Sequence, residues 1–293
     1  MKNILAFISF LLICFIPLNA LAEQTQPVVT VQAKGSTPYQ QLRYRIPDGT
    51  EQQMHVTMKM GVQIPGQLQL DTPPIKMSGN IRVKNLSNGD FKSFFNMNKY
   101  SLLPSSSPQT VVAAMQAEID NLPSLTGWQI TTSRGEVVKV GYDLESFTNQ
   151  QMKNQLESFQ HQTKQMAVPF PEEALGVGGK WQVTQNIMTN GMNIIQTVTY
   201  EITSIEGNNV TLQTTLVQNI GNKNLAAPTL PPGATATVEK LKSSGTGEMV
   251  VDMTKIIPKS TMTMKTESAI AVEMEGMQQK QSMSMDVHVE ITD

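Results

Sequence analysis

Apolar and polar residues alternate with period two along most of the chain, the spacing that sends successive side chains to opposite faces of a strand. Met54, Val56, Met58, Met60 and Val62 share one face, with His55, Thr57 and Lys59 on the other. The alternation returns at the far end, where Met283, Met285, Val287, Val289 and Ile291 face one way and Ser284, Asp286, His288 and Glu290 the other. Turn residues punctuate these runs: Pro47-Asp48-Gly49, Ser87-Asn88-Gly89-Asp90, Ser133-Arg134-Gly135, Asn190-Gly191 and Glu206-Gly207-Asn208. They supply the positive φ and the side-chain turns that antiparallel hairpins need. Strands are predicted at 81–83, 91–97, 127–132, 136–141, 181–189, 192–205, 210–219, 234–242, 248–254, 260–274 and 277–291.

Two stretches change period. Ser107-Pro108 reads as an N-cap followed by proline at the first helical position, and Val111, Val112, Met115, Ile119 and Leu122 then recur at helical spacing. This predicts a helix over 108–121, ending before Pro123. A longer helix is predicted over 143–166, with Leu144, Phe147, Met152, Leu156, Phe159 and Met166 as its apolar stripe beside a Gln-rich face. Residues 23–38 are polar and aperiodic and read as a flexible leader, with strand alternation beginning at Tyr39. Residues 169–179 form a Pro/Gly loop. Two short echoes, Gly127-Trp128-Gln129-Ile130 with Lys180-Trp181-Gln182-Val183 and the segments around Gly135 and Gly247, reflect shared turn chemistry as readily as duplication.

The expected fold is therefore mainly β: a large curved antiparallel sheet or incomplete β-barrel with two inserted α-helices, forming one domain over 39–293. A sheet of about a dozen strands must curl, and amphipathic helices are the available cover. The alternative is two β subdomains split near 169–179.

Composition narrows the setting. Lys2, the apolar run from Ile4 to Ile16 and Ala20-Leu21-Ala22 have the form of an export signal over 1–22, too short in its apolar part for a membrane span. The product is expected in the periplasm or the medium, with no later apolar run long enough to cross a bilayer. The single cysteine, Cys14, falls inside that signal, so the mature chain would have neither disulfides nor thiolate chemistry. Charged residues are 16% of the chain and the net charge is −2. Neither nucleic acid nor an anionic membrane surface is an expected partner on that overall charge.

Several segments together suggest a family. Gly135-Glu136-Val137, Pro171-Glu172-Glu173 leading to Val177-Gly178-Gly179-Lys180-Trp181, Thr199-Tyr200-Glu201-Ile202 and Ser204-Ile205-Glu206-Gly207 resemble an uncharacterised family of exported bacterial β-proteins described as a domain of unknown function. The resemblance would span 42–291 and implies a fold more than an activity. More remotely, a curved sheet with inserted helices resembles the periplasmic lipoprotein carriers and mycobacterial lipid carriers whose half-barrel holds acyl chains, an analogy of fold.

Methionine is the compositional anomaly, at 19 of 293 residues. Met58-x-Met60, Met262-x-Met264 and Met283-x-Met285 each put two thioethers on one side of a strand. Three readings follow: ordinary core, a flexible polarisable wall for varied apolar ligands, or soft ligands for Cu(I). The candidate ligand-cavity residues are Met54, Met58, Met60, Met115, Met152, Phe159, Met262, Met264, Met283 and Met285. Among the three histidines, His288 shares a strand face with Asp286 and Glu290, but alternate residues lie about 6.6 Å apart and point in parallel, so a solvated face is the expectation. No nucleophile elbow, zinc-helix pair or P-loop occurs, and no catalytic residue, metal or other cofactor is assigned. Trp128 and Trp181 are both expected to cap the apolar core. The leading functional expectation is non-enzymatic: an exported binding or carrier protein for an apolar small molecule or lipid. The alternatives are a structural or interaction protein of the envelope with a filled core and a protein partner there, and Cu(I) binding.

Overall fold

A computed structural model describes residues 27–66, 69–143, 168–189, 192–221, 224–225, 235–274 and 277–293. In chain order the elements are β1 (Val28–Ala33), β2 (Glu51–Gln63), β3 (Leu70–Asp71), β4 (Ile75–Asn85), β5 (Phe91–Leu102), α1 (Gln109–Asp120), β6 (Leu125–Thr131) and β7 (Val137–Tyr142). Then follow β8 (Lys180–Thr189), β9 (Met192–Glu206), β10 (Asn209–Ile220), β11 (Asn224–Leu225), β12 (Thr235–Asp252), β13 (Lys259–Met274) and β14 (Met277–Thr292). All strands join one antiparallel sheet in the order β1-β8-β9-β10-β12-β13-β14-β2-β4-β5-β6-β7, with β11 beside β12 and β3 beside β2. The order begins at β1 and ends at β7 without closing, so the expected incomplete barrel is the architecture observed. Strands from both sides of 169–179 share this sheet through the β14·β2 ladder, which runs from Ser284 opposite Gln63 to Thr292 opposite His55.

The alternation seen in the sequence sets the faces. On the inner face, Met264, Val287 and Met60 lie side by side on β13, β14 and β2, as do Met262, Val289 and Met58. Where β12 crosses the middle of the sheet, Gly245 and Gly247 replace side chains on this face. A Cβ on Gly247 would strike the Thr261 carbonyl and lie 3.0 Å from Thr214 Oγ1, and one on Gly245 would press on Met264 at 3.3 Å. Bare backbone there lets neighbouring strands close in around the bend. The two strands expected at 234–242 and 248–254 are accordingly one 18-residue strand, and the glycines between them are not a turn. The echo with Ser133-Arg134-Gly135 dissolves, because Gly135 is a true turn residue at φ 85°.

One end of the sheet is sealed by segments that are not part of its ladders. Between β1 and β2 the chain crosses the concave face in extended form, burying Leu42, Tyr44 and Ile46 while Gln41 and Arg45 stay exposed. It alternates like a strand, as expected from Tyr39, yet its backbone bonds go elsewhere. Tyr44 N–H donates to Ser133 O at 2.8 Å, Arg45 N–H to Met253 O at 2.7 Å, and Gln40 and Leu175 exchange bonds at 3.0 Å. The loop after 167 completes the seal with Val168, Phe170 and Leu175, all essentially inaccessible. The stretch read as a leader is also corrected: Val28–Ala33 pairs with β8, Val29 opposite Val183 and Val31 opposite Trp181. Val29 and Val31 pack against the core, which gives this short segment its reason to order.

The helix expected at 108–121 is α1, at the opposite end of the sheet, burying Val111, Met115 and Ile119. Pro108, not Ser107, occupies its N-cap position, and the Ser107 hydroxyl instead donates to Asp71 O at 2.9 Å. Beyond Asp143, the second helix expected over 143–166 lies outside the described residues, as does the export signal over 1–22. No helix among the described residues is long and apolar enough to cross a membrane.

Candidate functional site

The concave face divides into tiers that follow the strand register. The lowest is the sealed core, where Trp181, Tyr200, Ile202, Leu212, Val251, Met54, Ile81 and Met97 pack beneath the crossing segment. Above it runs a row of Val183, Val198, Leu216, Gly245, Met264, Val287 and Met60. The next row, one inward position higher, is polar across five strands: Gln185, Gln196, Gln218, Ser243 and Thr266 stand opposite one another in turn. Gln218 Nε2 donates to Gln196 Oε1 at 2.6 Å and the Ser243 and Thr266 hydroxyls lie 2.9 Å apart. Higher still the wall carries Ile187, Ile194, Leu241 and Met283, with Ser268 between the last two.

No inward position with a described side chain carries Asp, Glu, Lys, Arg or His. Among the described side chains of this single-layer sheet, the charges of the strands point outward. A molecule held against the inner face would meet methyl, methylene and thioether groups crossed by one belt of amides and hydroxyls.

The candidate methionines separate by depth. Met54 is fully buried in the sealed core, and Met115 is buried on α1. Met58, Met60, Met262, Met264, Met283 and Met285 share the inner face and remain half-buried. Met152 and Phe159 lie outside the described residues. In the rows, a valine stands between Met262 and Met264 of β13 and their counterparts on β2: Val289 separates Met262 from Met58, and Val287 separates Met264 from Met60. The thioethers are thus spread along a wall instead of gathered into a ligand set.

His288 is on the outer face, its Nδ1 3.1 Å from Thr263 Oγ1, and His55 Nδ1 lies 2.8 Å from Ser78 Oγ. Among the described residues no group of three or more His, Cys, Asp or Glu side chains is placed to hold a metal ion. Trp181 caps the core as expected, but Trp128 does not. It faces outward beside Phe94, with Lys92 and Lys139 over its ring. The cause is register: Ser93 opposite Gln129 and Phe91 opposite Thr131 take the inward positions on β5 and β6. The polar belt has no signal in the linear sequence, since its members come from five strands and are united only by register.

The fold and this face define a class, an open antiparallel half-barrel sealed at one end with an uncharged, methionine-rich concave wall. A family model described as a family of unknown function (DUF6263) matches residues 137–257. That stretch runs from β7 through β12 to the buried Ile256 and Ile257, and it contains the Pro171 to Trp181 loop and the Thr199 to Gly207 segment, two of the stretches that carry the family resemblance, while Gly135 and Glu136 fall outside it. No curated protein matches the chain.

Proposed function

We propose that the protein is an exported, non-enzymatic carrier that holds an apolar molecule, lipidic in character, against the concave face. The observation that carries this reading is the half-exposure of Met58, Met60, Met264, Met283 and Met285 on a wall without charge, next to a core that is fully sealed. Side chains meant only to fill a core would reach the exposure of Trp181 or Val210, which are inaccessible. Methionine suits such a wall because its flexible thioether adapts to varied apolar shapes. The outward placement of the strand charges among the described side chains supports a cargo that is uncharged along its buried length, since an unpaired charge there would lose its hydration without compensation.

The test is mass spectrometry of the full chain purified without detergent, in native mode and after solvent extraction. The reading expects a one-to-one complex with an extractable lipid-like molecule. A protein that carries nothing and takes up no long-chain alcohol or acyl probe after extraction contradicts it.

A further inference from the structure

The convex face of β4 to β7 carries a charge pattern that the fold does not use. These four strands contain six charged residues, Lys76, Arg82, Lys84, Lys92, Lys99 and Lys139, and no carboxylate. Arg82 reaches Glu51 at 3.8 Å with both side chains mostly in solvent, and among the described residues the five lysines pair with no carboxylate. The other half of the sheet behaves differently, with Lys180 on Glu201 at 2.8 Å, Lys240 on Glu267 at 2.7 Å and Lys280 on Glu239 at 2.6 Å. Lys84 and Lys92 are direct cross-strand partners, a like-charge pairing that destabilises a sheet.

These cations surround exposed apolar groups. Phe94 and Trp128 are cross-strand partners, and the Lys92 amine lies 5.0 Å from the Phe94 ring and 4.5 Å from that of Trp128. Lys139 approaches Trp128 from the other side at 5.7 Å. Phe94 is 41% exposed. Beside them Glu51, Arg82, Phe94 and Asn96 line an open depression of about 610 Å³.

We propose that this face docks the protein on an anionic lipid surface. Flexible ammonium groups around a partly exposed aromatic pair, on four strands that carry no carboxylate of their own to fix a register, suit a fluid layer of phosphates better than one shaped protein partner. Aromatic rings settle at headgroup depth and lysines add their attraction nearly independently. The overall charge of −2 does not oppose this, because at a screening length of about 8–10 Å the bilayer senses the face turned toward it. Docking of this kind stands independently of what the concave face carries.

The experiment is sedimentation of the full chain with phosphatidylcholine vesicles, with and without phosphatidylglycerol, followed also by tryptophan emission. Trp181 is inaccessible in the core, so a blue shift on binding reports Trp128, and Trp128→Phe should remove it. Binding is expected only with phosphatidylglycerol, is lost near 1 M salt where screening falls to about 3 Å, and weakens on the order of 100-fold in the Lys84→Gln, Lys92→Gln, Lys139→Gln variant. Lys139→Gln alone, expected to weaken binding about fivefold, keeps the test open if the triple variant folds poorly. Equal binding to both vesicles, no binding to either, or an unchanged affinity in a folded triple variant overturns the proposal. Capture by poly-glutamate without vesicle binding also overturns it, assigning the face to an acidic protein.

Discussion

The indole of Trp181 stacks on the phenol of Tyr200, with ring centroids 5.1 Å apart and planes 19° from parallel. Its Nε1 donates to Pro169 O at 2.9 Å, and Phe170 lies 6.1 Å away on the same side as the sealing loop. One side chain therefore joins β8, β9 and the loop that closes the sheet. Trp181→Ala should destabilise the protein by about 3–5 kcal/mol in urea unfolding, the usual cost of emptying a buried aromatic site. Trp181→Phe should cost less, since a ring still meets Tyr200. An Ala variant within about 1 kcal/mol of the parent would show that the seal does not depend on this contact.

The seal has a second fastening at its rim. Arg134 donates from Nε to Phe170 O at 3.2 Å and from Nη1 to Glu172 Oε1 at 2.7 Å, while Arg43 donates to Pro171 O at 2.8 Å and Glu172 O at 3.1 Å. Burial, then the neighbouring Arg134 charge, lowers the Arg43 pKa from its ordinary value, and Glu172 partly opposes this. The backbone carbonyls carry more of this grip than the exposed Glu172 carboxylate. Arg134→Ala is expected to cost about 1–3 kcal/mol and to speed proteolysis within 168–179. Glu172→Gln is expected to cost under about 0.5 kcal/mol. The reverse order would place the fastening in the ion pair.

Tyr44 and Tyr200 tie stability to alkaline pH. Burial raises both phenols above their ordinary pKa, against a weaker lowering by the Val168 backbone for Tyr44. The unfolded chain releases these protons near pH 10 while the folded protein retains them. Stability is thus intact below about pH 10 and falls as pH rises beyond it, by up to about 1.4 kcal/mol per pH unit for each tyrosine. Tyr200→Phe should flatten that decline in denaturant titrations between pH 9 and 12. An unchanged slope in Tyr200→Phe would contradict the assignment.

The long strands were legible because their alternation is unbroken: the segments at 260–274 and 277–291 match β13 and β14 to within a residue at each end. Legibility failed where local chemistry points one way and packing another. Gly245-Thr246-Gly247 has turn composition, yet its role is close approach in mid-strand. Val28 to Ala33 does alternate, with Val29 and Val31 on one face, but the run is only six residues long and set among polar neighbours, so its strand character shows only once Val183 and Trp181 supply its partners. Trp128 and Trp181 sit in similar tetrapeptides on opposite faces, because β5 offers phenylalanine to both sides and only register decides which side is inward. The Gln185 to Thr266 belt and the basic convex face had no signal in overall composition. Both arise when residues distant in sequence align across strands.

The central claim is that the uncharged half-exposed wall is a binding surface for an apolar molecule. Titration of a neutral fluorescent long-chain alcohol into the extracted full chain, beside Met60→Lys and Met264→Lys variants, tests it most directly. Either lysine would put a charge on a wall that has none, opposing an apolar ligand far more than it disturbs a partly solvated side chain. Saturable one-to-one binding by the parent is expected, with at least tenfold weaker binding by each variant and melting temperatures within a few degrees. No saturable binding by the parent, or equal affinity in folded variants, would contradict it.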